Sequence, residues 1–282
     1  MAGVFSYSVV KRSFLFQVFS LVILFVLFFF FNFSPLASEP LQMVECPSAE
    51  KCFALAMKKL DKMERDPDKA FQGQVLLRRI QHQFPESDWG KRAGIRLGLL
   101  LSHTSPPEAV PLLRSALKDI PVLTDYVLFG LGEAYMNMGH PQQAARLFQS
   151  VLKEDPVAPL KIQTLFQAGQ AWHEGDNCHA AIQLSRQALQ MDPQFEEAPQ
   201  ALLTIGECAL TLHKQAEAFA ALREMWWRFP KEPEAKTGEQ LLQQHQWGGS
   251  SGPTSLERFK RALSFSRLAM FEKAVAEFNR FL

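Results

Sequence analysis

The sequence predicts an all-α chain, a solenoid of antiparallel helix pairs behind an N-terminal hydrophobic helix, and three observations predict it. Gly132, Gly169 and Gly206 recur every 37 residues, and Ala144, Ala181, Ala218 and Pro156, Pro193, Pro230 recur in the same register. A fixed period held by three residue types is the signature of stacked supersecondary units. Each period contains two stretches with apolar residues at helical spacing, separated by turn residues. Ahead of them lies an apolar stretch over residues 13–33, interrupted by little more than Gln17, Ser20 and Asn32.

In chain order, Lys11-Arg12 followed by that apolar stretch is the pattern of a Sec signal peptide or an N-terminal membrane anchor, assigned to residues 1–38. Its length fits either one. Both place the remainder of the chain in an exported, periplasmic compartment, and the membrane is then a partner through residues 13–33. No cysteine stands at a lipoprotein position, because Cys46 is too far from the apolar run. In "CPSAEKC", Pro47 favours an irregular lead-in that would let Cys46 and Cys52 meet as a local disulfide in an oxidising compartment. Cys178 and Cys208 fall in different helical units and read as small buried packing residues.

Residues 39–237 carry the repeats, clearest over about 125–158, 162–195 and 199–232. In the first of these, Leu128, Leu131, Gly132 and Tyr135 mark one helix. "MGHP" breaks it, and Ala144, Leu147, Phe148 and Val151 mark a second that "EDP" ends. Gly132 and Ala144 suit the point where two helix backbones come closest, with Tyr135 and Phe148 filling the space beside them. Pro156 cannot continue the helix and sets the connection to the next pair. Upstream, Ala109, Leu113, Ala116 and Pro121 hold the offsets of a second helix, "GIRLGLLL" is its first helix, and helices over about 48–65 and up to Pro85 precede them. Downstream, residues 238–255 form a Gly/Ser-containing spacer. Residues 256–282 start a further pair in which Phe271, Ala274 and Phe278 take second-helix roles, leaving Phe278 and Phe281 without a following helix. That pair reads as incomplete, with a missing C-terminal domain or a partner to cover it.

These residues resemble the tetratricopeptide repeat. Leu131-Gly132, Tyr135, Ala144, Phe148 and Pro156 match its pattern, as do Ala168-Gly169, Trp172, Ala181, Ala188 and Pro193. Ile205-Gly206, Ala218, Leu222 and Pro230 match it again, with Ala209 in the aromatic position. The resemblance implies a right-handed α-solenoid whose first helices bind protein or peptide partners. The order of units over residues 68–282, with "LREMWWRFPKEPEA", a spacer and a restart at "SLERFKRALSFS", is also similar to the helical region of bacterial soluble lytic murein transglycosylases. That second resemblance implies a platform on peptidoglycan, with the glycan-cleaving chemistry in a C-terminal domain beyond this chain.

The residues themselves supply no catalytic group, cofactor site or metal site. The one Glu-Ser pair, Glu86-Ser87, lacks the rest of the transglycosylase motif and reads as a helix-capping turn. His173, Cys178, His179, Cys208 and His213 match no zinc spacing. With 30 basic and 29 acidic residues, a net charge of +1 and no basic run, nucleic acid is excluded as a partner. Adjacent Trp226 and Trp227 cannot share one helix face, so one of them, like Phe278 and Phe281, is a candidate contact for a partner or a glycan. Two functions follow. One is the scaffold region of an exported lytic transglycosylase. The other is a membrane-tethered periplasmic tetratricopeptide adaptor that binds other proteins.

Overall fold

The computed structural model describes residues 46–61, 66–249 and 252–281. The chain divides into a unit Met1–Pro47 and a unit Ser48–Leu282, and all the helices described below belong to the second. They are α1 (Ala49–Leu60), α2 (Pro67–Gln83), α3 (Asp88–Thr104), α4 (Pro106–Asp119), α5 (Thr124–Asn137), α6 (Pro141–Lys153) and α7 (Ala158–Glu174). After these come α8 (Cys178–Met191), α9 (Ala198–Thr211), α10 (Gln215–Arg228), α11 (Pro233–Gln244), α12 (Ser255–Arg267) and α13 (Phe271–Phe281). A short turn, Gln246–Gly249, follows α11 and lies with it across the 238–255 stretch assigned to a spacer. Successive helices pack in pairs, each second helix also packs on the next first helix, and α3 meets α5 as α7 meets α9. This is the expected solenoid of antiparallel helix pairs.

The expected N-terminal hydrophobic helix is corrected. No helix among the described residues is long and apolar enough to cross a membrane; the longest run to 17 residues and carry charged residues within them, where a span takes about 20 predominantly apolar ones. Residues 13–33 lie outside the described residues. The exported, periplasmic or membrane-anchored location built on them is therefore not carried further.

Local chemistry sets the helix boundaries. Ser48, Asp66, Ser87, Asn177 and Thr254 cap α1, α2, α3, α8 and α12 by accepting a hydrogen bond from a first-turn N–H. Thr254 and Glu257 form a reciprocal capping box. Proline in the first turn of α6 and α7 has no N–H to leave unsatisfied.

The repeat register governs the turn inside each pair. Gly139, Asp176 and His213, 37 residues apart, all take positive φ (74°, 62° and 57°), and so does Ala269 (57°), 130 residues after Gly139. In each case the next N–H reaches back five residues, from His140 to Tyr135 O, Asn177 to Trp172 O, Lys214 to Ala209 O and Met270 to Phe265 O. This bond pattern closes a helix through one left-handed residue.

The same register brings the helices together. A Cβ added at Gly132 would stand 2.5 Å from Phe148 Cε1, at Gly169 2.8 Å from Ser185 Oγ, and at Gly206 2.5 Å from a Leu222 methyl. Each repeat glycine therefore lies against the side chain four residues beyond the repeat alanine. Ala144, Ala181 and Ala218 are fully buried, as is Phe148. Burying a Phe ring of this kind stabilises by about 3–5 kcal/mol relative to Ala. Trp172 and Tyr135 pack at the edge of the core. Pro156 is buried, Pro230 half-buried and Pro193 exposed at the ends of second helices.

The last pair keeps the register at an offset of 130 residues. Ala262 and Ala274 take the places of Gly132 and Ala144. Phe259 and Phe278 pack edge-on with centroids 5.8 Å apart, where Phe129 and Phe148 pack tilted at 5.4 Å. The positions held by Leu128 and Leu131 in the central unit, however, are Arg258 and Arg261. This pair is held to the repeats by ion pairs as well as by apolar contact.

Candidate functional site

The first helices α5, α7 and α9 are enclosed on two sides. Counting from the repeat glycine, positions −4, −1 and +3 face the helix's own partner. Positions −5 and +2, including fully buried Val127, Ala134, Thr164, Ala171, Ala201 and Cys208, face the other way, toward the preceding pair. At 100° per residue, positions −6, −3, +1 and +5 share the remaining arc. These are Tyr126, Phe129, Glu133 and Asn137 in α5, then Gln163, Phe166, Gln170 and Glu174 in α7, then Gln200, Leu203, Glu207 and Thr211 in α9. We call this the inner face.

Its polar residues link one first helix to the next. Ser102 Oγ donates to Glu133 Oε2 at 3.3 Å, and His103 Nε2 lies 3.2 Å from Glu133 Oε1. Asn137 Nδ2 donates to Ser102 O at 3.1 Å. Thr204 Oγ1 donates to Gln170 Oε1 at 3.0 Å, and His173 Nε2 lies 3.7 Å from Glu207 Oε2. The position after the repeat glycine thus carries a polar link at all three units. Burial pushes the Glu133 carboxyl above the ordinary glutamate range, against the opposing pull of the His103 charge and the Ser102 hydrogen bond. Across α5, α7 and α9 the charged residues are Asp125, Glu133, Glu174 and Glu207 against Lys161, which pairs with Asp155. The inner face is acidic and rich in amides.

The residues singled out in the sequence fall elsewhere. Trp226 is 2% exposed, edge-on to Trp247 at 5.3 Å and beneath the Arg261 guanidinium at 3.9 Å. Trp227 is half-buried under Lys260 Nζ at 4.9 Å. The adjacent pair is thus divided between the core and the contact with α12, and the turn after α11 supplies the third tryptophan. Phe278 is half-buried against Phe259, and the Phe281 side chain lies outside the description. Ser87 caps α3, with Gly90 N–H donating to its Oγ at 3.0 Å, which places Glu86 in an ordinary capping turn.

Cys178 and Cys208, expected as separate packing thiols, are joined in a disulfide with Cα atoms 4.9 Å apart. The register could have revealed it. Cys178 opens a second helix, and Cys208 occupies the +2 position of the following first helix, the one that presses back on the preceding pair. Cys52 is 2% exposed on α1, and no described cysteine is a free thiol. His213 serves the left-handed turn position, and among the described residues no three His, Cys, Asp or Glu side chains gather as a metal site.

The tetratricopeptide repeat model matches residues 125–156. No curated protein matches the chain in sequence. Among solved structures, a tetratricopeptide repeat protein from Parabacteroides merdae is similar at a TM-score of 0.53 and 14% identity, over 82% of this chain and 92% of that one. MamA is similar at 0.50 and 15%, over 70% and 97%. PilF of Pseudomonas aeruginosa is similar at 0.50 and 14%, over 81% and 90%. At this identity the likeness shows the fold, a tetratricopeptide-type solenoid. The resemblance to a lytic transglycosylase platform is corrected by it, and with it the peptidoglycan and cell-wall reading. What the sequence shares with those enzymes is the order and texture of helix pairs, which these solenoids share too.

Proposed function

We propose that the chain is a protein-binding adaptor that holds an extended, basic or amide-rich segment of a partner along the inner face of α5, α7 and α9. The observation that carries this reading is the composition of that face. It has a row of carboxylates and amides at Glu133, Gln170 and Glu207, flanked by Asn137, Gln163, Glu174 and Gln200, over buried Phe129, Phe166 and Leu203, with no lysine or arginine among them. An extended peptide has unpaired backbone N–H and C=O groups at short intervals. Side-chain amides such as Gln163, Gln170, Gln200 and Asn137 can both donate to and accept from them. Glu174 and Glu207 add attraction for lysine or arginine, which falls with added salt.

The test is binding of length-matched fluorescent peptides that are basic, acidic or neutral. The basic peptides should bind most tightly. Glu174→Lys with Glu207→Lys should weaken them by about tenfold or more, on the order of the coupling between close charge pairs. Binding that ignores peptide charge and these two substitutions would reject the reading.

A further inference from the structure

The disulfide Cys178–Cys208 stands at one junction of the repeat array. At the preceding junction the same two register positions, also 30 residues apart, are Pro141 and Ala171, and at the following one they are Gln215 and His245. Neither pair can form a covalent link, so the bond distinguishes the α8–α9 junction from its neighbours. The two sulfurs differ in access. Cys178, the first residue of α8, is half-buried, whereas Cys208 is fully buried in α9.

The residue before Cys208 is Glu207, whose carboxylate faces His173 of the preceding first helix. Four residues before Cys208 is Thr204, which donates to Gln170. The bond and these two contacts therefore span the same junction, made from adjoining turns of α9.

We propose that the Cys178–Cys208 bridge is a redox latch that holds the α7–α8 and α9–α10 pairs in the arrangement that brings Gln170 and His173 of α7 against Thr204 and Glu207 of α9. An external dithiol opens it. Its thiolate attacks the accessible Cys178 sulfur, the bond to Cys208 breaks, and the Cys208 sulfur leaves with the electron pair and takes up a proton. The second thiol of the reductant then displaces Cys178 from the mixed disulfide. Two protein thiols result, and the reductant becomes a disulfide. Once open, the junction keeps its apolar contacts but loses the link that restricts opening of α9 against α8. That the latch controls partner binding rests on the inner-face reading above; that it controls the junction does not.

The experiment is amide hydrogen exchange on the full, partner-free chain in three forms: oxidised, reduced by a phosphine, and carrying Cys178→Ser with Cys208→Ser. Alkylation followed by mass spectrometry fixes the state of each cysteine. Oxidised chain should show the linked 178/208 peptides. Exchange across 198–211 should accelerate on the order of a hundredfold in both the reduced and the variant forms, the scale expected for releasing a loop of this length. Free thiols at 178 and 208 in chain purified without reductant under air would overturn the proposal. So would unchanged exchange across 198–211 in both opened forms. Because reduction acts on the already folded chain, failure of the serine variant to fold leaves the test intact. Peptide affinity measured in parallel bears on the inner-face reading alone.

Discussion

The Arg261 guanidinium lies 3.9 Å above the Trp226 ring, at the register position that Leu131, Ala168 and Ile205 fill in the three central units. Its charge is shared between Glu239 at 3.9 Å and Glu277 at 4.0 Å. Burial lowers its proton affinity, and the two carboxylates push back. Beside it, Arg223 Nη1 donates to Glu257 at 2.8 Å, so the α12–α13 pair is joined to α10 through cations stacked on tryptophan and paired with acids. Removing one partner of such a group leaves the rest buried without compensation. Arg261→Met should therefore cost about 2–4 kcal/mol, confined to the terminal pair. Limited proteolysis should show cleavage between α11 and α12 before the central units are cut. Adding Glu277→Leu should recover part of the loss. Equal stability of Arg261→Met and wild type would show that the apolar contacts alone hold the pair.

Gly132 offers a sharper packing test. Alanine normally favours a helix over glycine by about 1 kcal/mol, but here its Cβ would meet three Phe148 ring atoms at 2.5, 2.7 and 2.8 Å. The ring is fully buried and cannot swing aside. Gly132→Ala should destabilise by about 1–3 kcal/mol, and Phe148→Leu in the same chain should offset part of that. Gly206→Ala should cost less, because the obstructing Leu222 Cγ and Cδ2 belong to an aliphatic side chain that can change rotamer rather than to a rigid ring. Urea midpoints for the three variants check the order.

Much of this was legible in the sequence, and the reasons are physical. Glycine, alanine and proline recur because close backbone approach and helix termination tolerate few other residues, so the central units and their partners Phe148 and Leu222 could be placed from spacing alone. The inner face was less legible. Glu133, Gln170 and Glu207 are three ordinary polar residues, and their links across to His103, Thr204 and His173 depend on how one pair rotates against the next. Arg261 broke the apolar pattern at a core position, and only the fold supplies Trp226 and Glu277 to receive it. The left-handed turn was hidden because Asp176, His213 and Ala269 occupy a position where glycine appears only at Gly139.

That turn gives a stabilising substitution. A residue with a Cβ in the left-handed region costs about 1 kcal/mol that glycine does not, and alanine has no side-chain polar group to offset it. Ala269→Gly should raise stability of the terminal pair by about 0.5–1 kcal/mol, and Gly139→Ala should lower that of the central unit by a similar amount. Hydrogen exchange of the Met270 and His140 amides, which close the two turns, would report each change locally. Loss of stability in Ala269→Gly would contradict the shared register.

Glu133 predicts the pH dependence. Its carboxyl is raised above the ordinary value of 4.5 chiefly by burial, with the His103 charge and the Ser102 hydrogen bond opposing. In the window above 4.5 the folded chain retains a proton that the unfolded chain has released, so this group's contribution is fully present below 4.5 and declines as pH rises through the folded value. Glu133→Gln has no proton to lose, and its amide can still accept from Ser102. The difference in Tm, variant minus wild type, should be near zero at pH 4 and rise by about 1–2 °C toward neutrality. Removing the opposing cation with His103→Gln should enlarge that rise. A flat difference between pH 4 and 7 would mean that the His103 pair, not burial, governs the carboxyl. The inner face would then keep its full acidity at Glu133 for a basic partner.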